Sequence, residues 1–117
     1  MEVVSNEVFA VTVPGEPYRV LLRIQHCQES RRRTSVAIRA EPGKGASEEV
    51  VALAAIGAIV DLLSKEHREH RVLNRNFDAE EGSRDVPDAV IVPGCSDELL
   101  GALLSAVGKA SSMRTVH

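Results

Sequence analysis

The sequence SEEVVALAAIGAIVDLLSK, residues 47–65, is the one long apolar run in this chain of 117 residues. Ser47 predicts the N-cap of a helix, and Glu48 and Glu49 place negative charge where the helix dipole favours it. A helical period gathers the bulky side chains on one broad face, formed by Leu53, Ile56, Ile59, Val60, Leu62 and Leu63. Because a helix this apolar needs cover on more than one side, the rest of the chain is expected to pack around it.

The opposite side of the same helix is predicted to be a narrow strip of small residues. These are Ala54, Gly57, Ala58 and Asp61. Another helix can approach such a strip closely, because no bulky side chain separates the two backbones. The sequence leaves open whether a second helix of this chain or a second subunit occupies the strip.

Three segments ahead of the helix alternate between apolar and polar residues and predict strands, at residues 8–13, 18–25 and 34–40. The turn sequence PGEP, residues 14–17, predicts that the first two strands pair as an antiparallel hairpin. One face of this sheet is apolar and carries Phe9, Val11, Val13, Tyr18, Val20, Leu22, Ile24, Val36, Ile38 and Ala40. We expect the helix to cover that face.

The second half of the chain has weaker patterns. We interpret residues 66–71 as a solvated last helical turn, and residues 72–77 and 89–92 as two short strands. Residues 78–88, between the two strands, are expected to form an exposed acidic loop. Ser96 or Cys95 then caps a second helix that extends to about residue 110. Its apolar face is formed by Leu99, Leu100, Leu103, Leu104 and Val107.

Together these elements predict a two-layer α+β sandwich. Its antiparallel sheet has three to five strands, both helices lie on one face, and the order of elements is β-β-β-α-β-α. The length of the chain suits a single domain, residues 1–117, with residues 1–6 and 111–117 frayed.

Composition and charge argue against a nucleic-acid binding protein and against a membrane-spanning one. A net charge of -3 makes a nucleic-acid partner unfavourable, because phosphate binding normally requires an excess of Lys and Arg. Asp61 interrupts the apolar run, which falls short of the roughly 20 residues that a membrane span needs. The first residues lack the pattern of a secretory signal, so a cytoplasmic protein is expected. Because the cytoplasm is reducing, Cys27 and Cys95 are interpreted as free thiols rather than as one long-range disulfide.

The arginines form the main candidate for a partner-binding surface. They are Arg19, Arg23, Arg31, Arg32, Arg33 and Arg39. Three of them, Arg19, Arg23 and Arg39, are predicted on the sheet face away from the helix. Pairing with the acidic residues 78–88, in the same chain or in a neighbouring one, explains these charges at least as well as nucleic-acid binding, because the chain has few aromatic residues for stacking on bases.

A possible anion site precedes the first helix. Gly43, Lys44, Gly45 and Ser47 combine a permissive backbone, free N–H groups and a lysine. The sequence is not a Walker A motif, and Glu48 and Glu49 already occupy the favourable end of the dipole. A plain turn followed by a cap is therefore the preferred interpretation.

Cys95 is the candidate for a reactive thiol, since it precedes a helix N-terminus that would lower its pKa. A small, half-buried residue at a cap is the preferred alternative. His67 and His70 are three residues apart but do not form a zinc-protease motif, so a solvated helix end is favoured and no metal or cofactor is predicted.

Three features resemble the small TSCPD domain found in vitamin B12-dependent ribonucleotide reductases and as free-standing proteins. They are the GKG sequence at residues 43–45, the helix segment AIGAIVDLL at 55–63, and the sequence CSDELL at 95–100. Of the Thr-Ser-Cys-Pro-Asp signature this chain keeps Cys95 and Asp97, while Pro93, Gly94 and Ser96 replace the rest, and the paired cysteines of such domains are absent. The resemblance implies an accessory, non-catalytic module.

The sequence favours a small non-enzymatic interaction or oligomerisation module, forming a homodimer and binding a protein partner. Two alternatives stay open. One is a phosphate, nucleotide or nucleic-acid binding module that uses Lys44 and the arginines, and the other is a thiol-dependent enzyme centred on Cys95.

Overall fold

A computed structural model describes residues 2–17, 19–41, 45–79 and 82–113. Within these residues the chain forms two helices and six strands: β1 (Glu2–Thr12), β2 (Arg19–Ser30), β3 (Arg33–Ala40), α1 (Ala46–Lys65), β4 (Arg71–Ala79), β5 (Gly82–Pro93), α2 (Asp97–Val107) and β6 (Lys109–Met113). The predicted α+β class is confirmed. The sheet has one strand more than the upper limit of the prediction, because a further strand, β6, follows α2.

All six strands belong to one antiparallel sheet in the order β4-β5-β3-β2-β1-β6. The predicted hairpin of β1 and β2 is present, and Thr12 faces Arg19 across the turn. After α1 crosses the sheet, β5 pairs with β3 and β4 forms one edge. The other edge is β6, which pairs with β1.

The hydrophobic core lies between one face of the sheet and both helices. The sheet contributes Val11, Val20, Leu22, Ile24, Val36, Ile38, Val90 and Val92, and the helices contribute Ala52, Ala55, Ile56, Ile59, Leu63, Leu100, Leu103 and Leu104. These sets match the alternation of the first three strands and the apolar faces of both predicted helices. At about 25 cal/mol per Å² of buried apolar surface, this layer is the main source of stability.

The other face of the sheet carries the arginines that strand alternation predicts. Arg23 and Arg39 are paired residues of β2 and β3, so they lie side by side on the face that α1 and α2 leave uncovered. Ala37 and Ala89 lie between longer side chains on this face and are almost fully buried.

The ends of α1 differ from the prediction. The extended N-cap residue is Gly45, without a side-chain cap, and Ser47 lies inside the first turn, so its assignment as N-cap is wrong. At the other end, His67 adopts a left-handed conformation with φ of 55°, and Arg68 N–H donates to the Leu63 carbonyl at 2.9 Å. This Schellman-type end stops the helix at Lys65, so residues 66–71 are not its last turn.

The acidic segment also differs from the prediction. Instead of forming an exposed loop, most of residues 78–88 lie in β4 and β5, where Asn76 faces Asp85. Glu80 and Glu81 lie outside the described residues. Because β3 pairs only with residues 89–93 of β5, the remainder of β4 and β5 forms a two-stranded ribbon, here called the β4–β5 ribbon.

The expected fraying does not hold for residues 2–6 and 111–113, which lie in β1 and β6. Residues 1 and 114–117 are outside the described part. Helix α2 ends at Val107 rather than near residue 110, because the chain turns at Gly108 to enter β6. A Cβ atom at Gly108 would overlap the carbonyl oxygen of Thr12, so glycine permits the close approach of this turn to β1.

Candidate interaction surface on helix α1

The small-residue strip of α1 faces outward. Ala54, Ala58 and Asp61 are exposed, Gly57 is half-buried, and Val50, one turn before Ala54, is 66% exposed. We call these five residues the α1 face. Helix α2 packs its own leucines into the core and does not cover the α1 face, so it is not the element that occupies the strip.

An apolar groove of about 530 Å³ runs along one side of the α1 face, between α1 and the β4–β5 ribbon. It is lined by Glu49, Val50, Leu53, Ala54, Gly57, Arg84, Val86 and Pro87. Arg75 of β4 links the ribbon to α1, because its guanidinium forms an ion pair with Glu49 of the helix. The same guanidinium lies 3.5 Å from the carboxylate of Asp88 in β5. Arg84 is exposed and forms no ion pair with any side chain that the structure describes, so the groove has an available positive charge at its rim.

A second groove of about 290 Å³ runs along the other side of the α1 face. Its lining comes from α1, from the end of α2 and from the turn after β1, with Val13, Glu16, Val50, Val51, Ala54, Ala55, Ala58, Ala106 and Val107. Val50 and Ala54 therefore stand between two grooves that are mainly apolar. Contiguous apolar surface of this kind on a small domain is typical of a contact site.

Several of the predicted partner-binding arginines are engaged within the chain. Arg23 bonds Glu41, which raises the pKa of Arg23 above its ordinary value, and it also donates to Asn6 at 2.8 Å. Arg39 donates to Gln25 at 3.2 Å. These bonds link two of the basic side chains to other residues of the same chain.

Within the described chain, the acidic partners of Arg33 and Arg71 lie outside residues 78–88. Arg33 lies 3.2 Å from Glu69 and 3.8 Å from Glu29, and Arg71 lies 2.7 Å from Glu29. Among the described side chains, Arg75 is the arginine that pairs with the acidic segment, through Asp88. Arg19, Arg31 and Arg32 are exposed, at one end of β2 and in the turn between β2 and β3.

The possible anion site before α1 is only partly described. Gly43 and Lys44 lie outside the described residues. Gly45 has an extended backbone, and Ser47 is exposed in the first turn together with Glu48 and Glu49. Two carboxylates thus already occupy the positive end of this helix.

Cys95 lies between Gly94, which has a positive φ of 60°, and the N-cap of α2. Of the two predicted cap residues, Ser96 is the cap, and its hydroxyl accepts from Leu99 N–H at 3.1 Å. Cys95 is half-buried, and burial raises the pKa of its thiol although the charge of Arg68 acts in the opposite direction. The neutral thiol therefore predominates near pH 7, which makes this residue a weak nucleophile.

The surroundings of Cys95 contain further polar groups but no described metal site. A small cavity of about 180 Å³ is lined by Cys95, His26 and Cys27, and by the buried, unpaired hydroxyl of Ser35 among others. Both cysteines are free thiols. Within the described residues, no group of three or more His, Cys, Asp or Glu side chains is arranged to hold a metal ion.

Val50 and the two grooves were not predicted from the sequence. Val50 precedes Ala54 by four residues, so the helical period alone would have added it to the strip. Arg84 and the rest of the groove wall could not be placed, because the acidic segment was expected to be a loop.

Comparisons of the chain with protein families, with curated proteins and with solved structures found no match. The resemblance to TSCPD domains therefore stays a prediction. Neither described helix is long and apolar enough to cross a membrane.

Proposed function

We propose that this chain is a small non-enzymatic interaction module that works as a homodimer through the α1 face. The observation that supports this most directly is the exposure of Val50, Ala54 and Ala58 on α1, whose other valine, leucine and isoleucine side chains are buried or half-buried. An accessory role, as the TSCPD resemblance implies, and a cytoplasmic location, which suits free thiols, are consistent with it.

The α1 face suits a second copy better than the uncovered sheet face does. A two-fold interface brings the same patch of both subunits together, so a patch with one sign of charge repels itself. The sheet face carries Arg19, Arg23 and Arg39, and although Glu41 neutralises Arg23, Arg19 and Arg39 remain as positive charges. The α1 face has an apolar centre and both signs of charge at its rim, which is the usual composition of a stable interface.

The test is the oligomeric state of the wild type and of Ala58→Glu, measured by light scattering after size exclusion and by sedimentation equilibrium. Ala58 is exposed, so glutamate fits the folded subunit, but in the dimer it would bury a charge. We expect the wild type to be a dimer at tens of micromolar, and the dissociation constant of Ala58→Glu to rise by about 30-fold or more, or roughly 2 kcal/mol.

The matched control is Ala102→Glu, which places the same charge on an exposed alanine of α2. It should change the dissociation constant by less than about twofold. A wild type that stays monomeric at hundreds of micromolar, or equal weakening by both substitutions, would overturn the proposal.

A further inference from the structure

We infer that the two copies pack with their α1 helices antiparallel, centred between Gly57 and Ala58, so that Asp61 of each copy pairs with Arg84 of the other. This inference rests on the proposed function and specifies the occupant of the groove beside α1. The partner would supply a charged residue that completes the groove wall.

The spacing of residues on the α1 face is symmetric about that centre. Ala54 and Asp61 are equally far from the point between Gly57 and Ala58 along the helix axis. Val50 and Lys65 are also equally far from that point, and Lys65 is exposed. An antiparallel pair therefore sets Ala54 against the partner's Asp61 and Val50 against the partner's Lys65. Gly57 meets the partner's Ala58 at the centre, where small side chains allow the closest approach of the two backbones.

Charge distinguishes this arrangement from a parallel one. Ala54 and Arg84 line the same groove, so an aspartate opposite Ala54 arrives beside the available guanidinium of Arg84. In the same arrangement the partner's Lys65 comes next to Glu49, which also lines the groove and is bonded by Arg75 within the subunit. Parallel helices would instead bring the two copies of Asp61 together, and like charges in contact oppose association.

The first experiment is a charge-reversal cycle with Asp61→Lys, Arg84→Glu and the double variant. Each single change replaces two attractive contacts per dimer by two repulsive ones, and we expect each to raise the dissociation constant about tenfold. The double variant restores opposite charges, and its dissociation constant should return to within about threefold of the wild type.

The controls are Glu2→Lys and Lys109→Glu, which change the net charge equally at exposed positions in β1 and β6. Both should leave the dissociation constant within about twofold of the wild type at the same ionic strength. The inferred register is wrong if the dissociation constants of the single variants stay as close to the wild type as those of the controls. It is also wrong if the double variant dimerises more weakly than either single variant.

A cross-linking pair tests the direction of the helices. A Cβ atom at Gly57 meets no other atom within 4 Å in the subunit, so Gly57→Cys is accommodated. Under mild oxidation this variant should form disulfide-linked dimers. Val50→Cys should not form them, because an antiparallel pair separates the two copies of position 50 by about 22 Å along the axis at 1.5 Å per residue.

The wild type, with its native Cys27 and Cys95, gives the background for cross-linking. Equal cross-linking of both variants would indicate parallel helices and overturn the inference. If Ala58→Glu dissociates the dimer while neither the charge cycle nor the cross-links follow expectation, the proposed function stands and this register fails. A monomeric wild type would instead remove the proposed function itself.

Discussion

At Cys95, burial and the nearby positive charge of Arg68 act in opposite directions on the pKa of the thiol. Burial raises its pKa, and the positive charge of Arg68 only partly offsets that increase. The pKa of Cys95 in the folded protein lies above that of an ordinary thiol. The neutral thiol therefore makes its full contribution to the free energy of unfolding at pH values below the ordinary thiol pKa. That contribution is lost as the pH rises through the folded pKa.

We expect iodoacetamide to alkylate Cys95 more slowly than a small free thiol at pH 7, with a half-maximal rate at a higher pH than for that thiol. The rate is followed by mass spectrometry, and Cys95→Ala identifies any contribution of the buried Cys27. A half-maximal rate below the ordinary thiol pKa would contradict the observed burial and favour a thiol-dependent enzyme.

Two serines illustrate how far single residues could be predicted from the sequence. Ser96 caps α2 as expected, whereas Ser47, with two acidic residues after it, does not cap α1. An N-cap residue must have an extended backbone, and Gly45 takes that conformation two residues earlier. The sequence pattern identifies suitable cap residues, but tertiary contacts select which one stays extended.

Among the elements, the first three strands and both helices were predictable because each has one buried face. The short strands expected at residues 72–77 and 89–92 lie in β4 and β5, but their extension into the β4–β5 ribbon was not predicted. Asn74, Asn76 and Asp85 are exposed, and a ribbon outside the core needs no alternation of apolar residues. Strand β6 was missed for a related reason. Its sequence, KASSM, is held by backbone pairing with β1 rather than by buried side chains.

The connection from α2 to β6 gives a prediction at this scale. In Gly108→Ala the new Cβ would overlap the Thr12 carbonyl and lie 3.2 Å from a methyl carbon of Val11, so the β1–β6 edge must shift. We expect the free energy of unfolding to fall by about 1–3 kcal/mol, measured by urea denaturation.

Gly101→Ala is the matched control, because Gly101 is exposed in α2 and a Cβ atom there meets nothing within 4 Å. Alanine in a helix should raise the free energy of unfolding by about 0.5–1 kcal/mol. Equal effects of the two substitutions would show that contact with β1 does not explain the glycine at position 108.

For the whole molecule, the distribution of charge favours the α1 face as the proposed surface for self-association. Arg23 and Arg33 are paired with acidic residues of the same chain on or near the sheet, while Arg84 at the groove has no described partner. The helical period predicted the strip of α1, but its exposure depends on where α2 packs, and the groove depends on the ribbon. Both are long-range features that local patterns do not contain.

A dimer held by the α1 face should also show itself in thermal unfolding of the intact chain. Dissociation accompanies unfolding of a dimer, so raising the protein concentration a hundredfold stabilises it by about 2.7 kcal/mol. With an unfolding entropy of roughly 2.1 cal/mol/K per residue, this corresponds to a rise in Tm of about 5 °C for the two subunits. Differential scanning calorimetry of the wild type and Ala102→Glu should give this rise, whereas Ala58→Glu, whose dimer is weaker, should give a smaller rise. A wild-type Tm that does not change over this range would mean that the folded chain gains no stability from a second copy.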